Sequence, residues 1–229
     1  MIPAVPDPAP RPAPSLRFAD VTRRYGRLSV LRGVSGEVGG GEVLLVTGPN
    51  GSGKSTLLRC LAGLLAPDAG TIEMRVPPGP ADGASGAASG PVLDAGERRR
   101  SIGYVAPDLA FYEELTTAEN LVFFARLRGV SAERGTALLD RLGLPRDRAA
   151  GALSSGMRQK LRWCWALLHR PALLLLDEPF PNLDAHAEAL VRRLLVEHLD
   201  GGGLAVLAQP VDPAIDSAWR VAAHVALAG

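Results

Sequence analysis

The chain has 229 residues, 47% of them hydrophobic, with 25 Lys and Arg against 24 Asp and Glu for a formal net charge of +1. That length holds one well-packed core, and the balanced charge offers no footprint for nucleic acid. Two cysteines without C-x-x-C spacing speak against a zinc module; no stretch reaches the roughly 18 uninterrupted apolar residues of a membrane span, and the N-terminus lacks the basic-then-apolar pattern of a secretory signal.

Pro3, Pro6, Pro8, Pro10, Pro12 and Pro14 disfavour helix and ladder alike, which predicts a disordered extended arm over residues 1–15; a docking peptide for a proline-recognising groove is the alternative. Alternating apolar and polar residues over 16–21 and again over 30–34 read as strands. After the turn Gly39-Gly40-Gly41, the apolar run at 42–47 leads straight into Gly48-Pro49-Asn50-Gly51-Ser52-Gly53-Lys54-Ser55-Thr56 and a helical pattern over 57–62. Strand, G-x-x-x-x-G-K-[ST] loop and helix together form a phosphate cradle. Its glycines let backbone N–H groups converge on a β-phosphate, Lys54 brings an ammonium to the β/γ oxygens, and the Ser55 hydroxyl suits Mg²⁺. The chain is thus predicted to bind a nucleoside triphosphate.

Residues 70–76 read as another strand. Beyond it, Pro, Gly, Ala, Ser and Asp dominate about 77–97, and so little apolar surface cannot offset ordering entropy, which predicts a mobile surface loop. Arg98-Arg99-Arg100 reads as its solvated edge. A short strand at 102–105 precedes helical periodicity over 116–148, carried by Leu121, Phe124 and Leu127 and then Leu138, Leu139 and Leu142. Leu153-Ser154-Ser155-Gly156-Met157-Arg158-Gln159-Lys160 opens a further helix that breaks at Pro171. A buried strand over 173–177 then ends in Asp177-Glu178-Pro179. A helix over 185–199 and a strand over 204–207 follow, and the chain is expected to end near 225–227 without a regulatory extension or an internal repeat. Cys60 and Cys164 fall within helical patterns beside apolar residues and read as buried reduced thiols.

The phosphate loop, the Ser154–Gly156 helix start and the strand ending in two acids together resemble the ATP-binding cassette (ABC) ATPase family, over nearly the whole chain from residue 16 to about 227. The resemblance implies an α/β fold: a P-loop NTPase core with a mixed central sheet, an antiparallel β-subdomain and an inserted helical subdomain. Residues 16–229 would form one such domain, with the helical subdomain over about 108–160. The implied roles are adenine stacking for Tyr25 (a half-buried turn residue on the alternative reading), Mg²⁺ binding for Ser55 and Asp177, and activation of the attacking water for Glu178. Ser154, Ser155 and Gly156 would contact the γ-phosphate of a second cassette, and Asp184 belongs to a stretch, Asn182-Leu183-Asp184, that resembles the family's D-loop.

Two positions depart from the family. Where it has a glutamine that links the site to the transport subunit, this chain has Ala106-Pro107-Asp108, and Asp108 is the remaining candidate for a metal oxygen. Where it has a histidine on the γ-phosphate, this chain has Gln209, which donates a neutral hydrogen bond without positive charge; His186 and His198 read as surface residues of a helix. The resemblance implies an ATP-hydrolysing subunit of a membrane transporter, with an exporter flavour of the haem-exporter type in 102–129. The implied partners are a transmembrane permease subunit and a second cassette, identical or not, and the implied place is the cytoplasmic face of the membrane. ATP and Mg²⁺ are the expected cofactors, with no nucleic acid and no metal beyond Mg²⁺. The alternative is a nucleotide-gated switch module of the same fold with little turnover, and a DNA-repair or translation ATPase is a further reading that the near-zero charge disfavours.

Overall fold

A computed structural model describes residues 13–77, 90–210 and 219–228. Most of the 1–15 arm and the segment 78–89 of the predicted loop lie outside the described residues. In chain order the elements are β1 (Ser15–Tyr25), β2 (Leu28–Gly39), β3 (Glu42–Thr47), α1 (Lys54–Leu61), β4 (Ala69–Arg75), α2 (Ala95–Ser101) and β5 (Ile102–Val105). They continue with α3 (Thr117–Leu127), α4 (Glu133–Arg141), α5 (Ser155–Leu167), β6 (Leu173–Asp177), α6 (Ala185–Asp200), β7 (Leu204–Gln209) and β8 (Arg220–Ala226).

Strands β3, β6 and β7 are near-continuous apolar runs because both of their faces are covered. Their pleat sends alternate residues into two cores. Val43, Leu45, Leu174, Leu176, Ala205 and Leu207 pack with α3–α6, whereas Leu44, Val46, Leu173, Leu175, Leu204 and Val206 pack with α1 and the first hairpin. The sheet order is β5-β6-β7-β3-β8, and every described pairing in it is parallel. Among the described strands, antiparallel pairing joins a separate sheet in the order β2-β1-β4. The register aligns Thr47 with Gln209 and Asp177 with Ala208, so β3, β7 and β6 end side by side. In open α/β sheets that edge is where ligands bind.

Three details differ from the sequence reading. Residues 95–101, expected in the loop or at its edge, form α2, started by a capping box between Asp94 and Glu97. Arg98 is buried, not solvated: it donates to Ile72 O at 3.1 Å, and burial pulls its pKa down. His198, expected on the surface, is half-buried against Leu204 O, and the desolvation lowers its pKa. Within the expected helical subdomain, a second capping box (Thr116 and Glu119) starts α3. The fully buried Asn120 amide ties Tyr112, Leu115 and Thr116 carbonyls to that helix. Cys60 and Cys164 are both buried and free. Among the described residues no helix is long and apolar enough to cross a membrane.

Candidate active site

The 48–53 turn connects β3 to α1 at the aligned strand ends. Gly53, which caps α1, has φ +101, and a Cβ there would stand 2.8 Å from Val30 Cγ1. Gly48 has φ +150 and no room for a side chain beside Leu227 O and Ser52 Oγ. No side chain caps α1 and its first turn has no acid, which leaves its first N–H groups open to an anion. Ser52 Oγ is buried with no protein partner among the described residues.

Lys54 is only 5% exposed, and its ammonium donates to Gly48 O at 2.7 Å and Pro49 O at 3.0 Å. The loop's own carbonyls therefore hold the cation where phosphate oxygens would. Asp177, at the end of β6, is 4% exposed and is hydrogen-bonded by Ser55. Burial pushes its carboxyl pKa up, the charges of Glu178 and Asp108 add to that, and the Ser55 bond opposes it. A buried carboxylate beside a hydroxyl is a hard-oxygen donor pair short of positive charge, and with the orphaned Ser52 oxygen it fits a phosphate-bound Mg²⁺. Asn50, Lys54, Ser55, Thr56 and Glu178, with Val30, line one cleft of ≈ 380 Å³. A larger cavity of ≈ 490 Å³ among α4–α6, lined by Arg134, Arg141 and Glu197, has neither glycine loop nor carboxylate–hydroxyl pair and is no part of this site.

Glu178 does not continue the strand in extended form. It turns into the left-handed region at φ +45, with its N–H on Ala208 O at 3.0 Å. Gln209 is beside Thr47 and lines, with Glu178, Asn182 and Arg192, a second cavity of ≈ 400 Å³. Asp108, expected as a metal oxygen, forms an exposed ion pair with the Arg59 guanidinium at 2.6 Å, and its charge reaches Asp177. Tyr25 is outside the cleft lining, 47% exposed, with the Arg23 guanidinium 5.2 Å from its ring centroid.

The Ser154–Gly156 start of α5 is not brought to this cleft. Ser154 and Ser155 are exposed, and Ser154 caps the helix by accepting from Met157 N at 3.2 Å. Gly156 instead faces the 182 backbone, where a Cβ would stand 2.5 Å from Asn182 O. Asp184 caps α6, accepting from Ala187 N at 2.7 Å, and that bond lowers its pKa. Sequence reasoning missed Val30, whose contact depends on a hairpin folding over the loop. It also missed Gln159, a buried amide on α5 that donates to Pro179 O at 2.8 Å, and no local pattern marks it.

The sequence model for "ABC transporter" matches residues 31–181. The chain is 37% identical over 197 residues to Phosphonates import ATP-binding protein PhnC 1 of Rhodopseudomonas palustris, covering 80% of this chain and 70% of that protein. It is 36% identical over 192 residues to Fe(3+) ions import ATP-binding protein FbpC 1 of Rhodococcus jostii, covering 81% and 51%. It is 37% identical over 194 residues to Nod factor export ATP-binding protein I of Mesorhizobium japonicum, covering 82% and 53%. The chain thus spans about half the length of the latter two relatives. Two of these names are of import proteins, and the haem-exporter flavour expected from 102–129 gains no support from them. A solved ATP-binding subunit of an ABC transporter superposes with TM-score 0.72 at 30% identity, covering 86% of this chain and 79% of that one. A dimeric bacterial ABC transporter cassette shares the fold, with TM-score 0.69 at 24% identity over 84% of this chain and 87% of that one. A family match through the phosphate loop, the α5 start and the β6 acids, with relatives above 30% identity across four-fifths of the chain, settles the kinship: this chain belongs to the ABC transporter family of ATP-binding subunits, which are P-loop ATPases.

Proposed function

We propose that this chain hydrolyses ATP in the cleft between the phosphate loop and Glu178, as one half of a head-to-tail pair of cassettes that drives a transmembrane permease from the cytoplasmic face. The observation that carries the reading is the convergence of Lys54, the Ser55–Asp177 pair and Glu178 at one edge of the sheet, beyond the ends of β3 and β6, while the α5 start with its exposed Ser154 and Ser155 stays outside that cleft. The helix start is free to serve a partner's nucleotide.

ATP binding displaces the Gly48 and Pro49 carbonyls from Lys54 and gives the open N–H groups of α1 their anion. Ser55 and Asp177 would hold Mg²⁺, which when bound draws charge from the β- and γ-phosphate oxygens. Glu178 orients the attacking water and takes its proton; the water oxygen bonds to the γ-phosphorus, the bridging bond to the β-phosphate breaks, and ADP and phosphate leave. Gln209 can give the γ-phosphate a neutral hydrogen bond only. If a charged donor there supplied about 2.7 kcal/mol more transition-state stabilisation, turnover here is lower by about a hundredfold. Relatives named for import and for export share this cassette, so its chemistry serves either direction of transport.

The neutral Gln209, and an Asp108 committed to Arg59, favour one second reading: a nucleotide-gated switch that pairs on ATP with little turnover. Steady-state ATP hydrolysis with Mg²⁺ by the parent chain and by Glu178→Gln separates the two. Turnover abolished by the substitution is the outcome expected of the motor. ATP binding without turnover in either protein, even with its permease, would leave the switch.

A further inference from the structure

We propose that Arg162 and Gln159 of α5 are a positioning pair that fixes the Glu178-Pro179-Phe180 backbone, chiefly through the Pro179 carbonyl, and ties it to the backbone at 107–109. The inference rests on Glu178 being the hydrolytic carboxylate. Gln159 is 4% exposed; its amide nitrogen donates to Pro179 O at 2.8 Å and reaches Glu178 O at 3.4 Å. Its amide oxygen accepts from Arg162 Nη1 at 2.8 Å. The same guanidinium donates through Nη2 to Pro107 O at 2.7 Å and through Nε toward Leu109 O at 3.4 Å. One rigid fork therefore joins the strand-end loop to a buried amide, and that amide joins the fork to the catalytic peptide.

The chemistry requires these residue types. The bridging group must accept from a cation at one end and donate to a carbonyl at the other, which a glutamine amide does and a carboxylate or an alkyl chain does not. The cation must donate in several fixed directions at once, which a guanidinium does and an ammonium does not. Glu178 at φ +45 adopts a backbone that an L-glutamate keeps only when its surroundings hold it, and Trp163 Nε1, also on Pro179 O at 3.1 Å, is the third member of that hold. The 107–109 backbone lines a groove of ≈ 200 Å³ with Phe111, Arg158 and Arg162. A displacement of that loop pulls on Arg162, hence on Gln159 and on the Pro179 carbonyl, one residue beyond Glu178. This supplies a mechanical route into the site in a chain that has no glutamine at 106–108.

The test uses the full chain with ATP and Mg²⁺, reading kcat and KM separately beside the melting temperature. Gln159→Leu and Arg162→Ala should each lower kcat by about tenfold or more with KM changed less than about twofold, since a small misplacement of a reacting group costs rate rather than affinity. The double variant should be no slower than the slower single, because both act through one bond. Arg162→Lys should recover part of the loss. Gln159→Glu keeps a partner for Arg162, so it should fold even where Gln159→Leu does not, yet lose kcat because it no longer donates to Pro179 O. Effects on kcat that simply add, or a lowered melting temperature with parental kcat, would overturn the pairing. Glu178→Gln is the reference: persistent turnover there would sink the catalytic reading itself, whereas an inactive Glu178→Gln beside α5 variants at parental kcat would sink only the pair.

Discussion

Gly156 and Gly96 occupy the second position of their helices, α5 and α2, and replacing each by alanine separates two effects that pull in opposite directions. Alanine is favoured over glycine within a helix by about 0.5–1 kcal/mol. At Gly156 the new Cβ would stand 2.5 Å from Asn182 O, whereas comfortable carbon–oxygen contacts begin near about 3.3 Å. The start of α5 and the 182 backbone must then part by roughly 0.8 Å, and a peptide carbonyl cannot swing aside as a side-chain end can. Overpacking of this kind costs about 1–3 kcal/mol, and a mid-range cost of about 2–2.5 kcal/mol less the propensity gain leaves a net loss of about 1–2 kcal/mol. For a domain of this size that is about 2–8 °C in melting temperature.

Thermal unfolding of the nucleotide-free chain, followed by circular dichroism, reads the difference directly. At Gly96 the added Cβ would meet only side-chain ends, the nearest being Asp94 Oδ1 at 3.2 Å, so Gly96→Ala should hold or slightly raise the melting temperature. Gly156→Ala should lower it with no nucleotide or partner present. A Gly156→Ala chain that melts with the parent or above it would refute the argument, and would leave this glycine answerable only to a phosphate across the pair.

Lys54→Ala should abolish ATP binding in a calorimetric titration, and retained affinity would remove the phosphate loop from the site. Gln209→His should raise kcat, by up to the order of a hundredfold if the charged contact is recovered in full; an unchanged rate would mean that another donor already serves the γ-phosphate. Asp177→Asn should raise the melting temperature of the nucleotide-free chain while abolishing hydrolysis. The raised pKa of Asp177 means that the folded state binds its proton more tightly than the unfolded chain, so stability falls as pH rises from the unfolded carboxylate pKa through the folded one. The gain from asparagine should therefore be full at neutral pH and shrink below the unfolded pKa, and a variant less stable than the parent at pH 7 would contradict that sign.

The parts of the molecule legible in the sequence are those fixed by neighbours along the chain. The phosphate loop carries its turn glycines, cation and hydroxyl within nine consecutive residues, and β3 and β6 announce themselves as apolar runs because both faces are buried. Strand β8 escaped because its residues alternate between half-buried and exposed with small side chains, and its place depends on pairing with β3, far away in the chain. Helix α2 was hidden by the Gly- and Pro-rich residues before it, although the Asp94-to-Glu97 spacing of a capping box was there to be read. The Arg59 partner of Asp108, 49 residues away in the chain, is a contact that no local pattern shows. The same holds for Gln159 and Arg162, whose meaning depends on carbonyls brought to α5 by the sheet.

What the fold strains at the site matches a triphosphate with a divalent cation. Asp177 is a buried anion with a raised pKa, Ser52 Oγ has no protein partner among the described residues, Lys54 makes do with carbonyls, and Glu178 is held in a left-handed backbone. Apart from Lys54, whose carbonyl partners satisfy it, each is a cost of about 1–3 kcal/mol for an unsatisfied buried group or a strained residue. The two leucine-rich cores that grip β3, β6 and β7 from both faces keep these groups from relaxing into a cheaper arrangement. A Mg²⁺-bearing triphosphate answers the first three at once: it brings a cation to Asp177, oxygens to Lys54 and an acceptor to Ser52. It does nothing for the Glu178 backbone, which α5 holds through the Pro179 carbonyl. Binding energy is thereby drawn from groups that hold the substrate, and the strain at the group that acts on it is kept for the reaction.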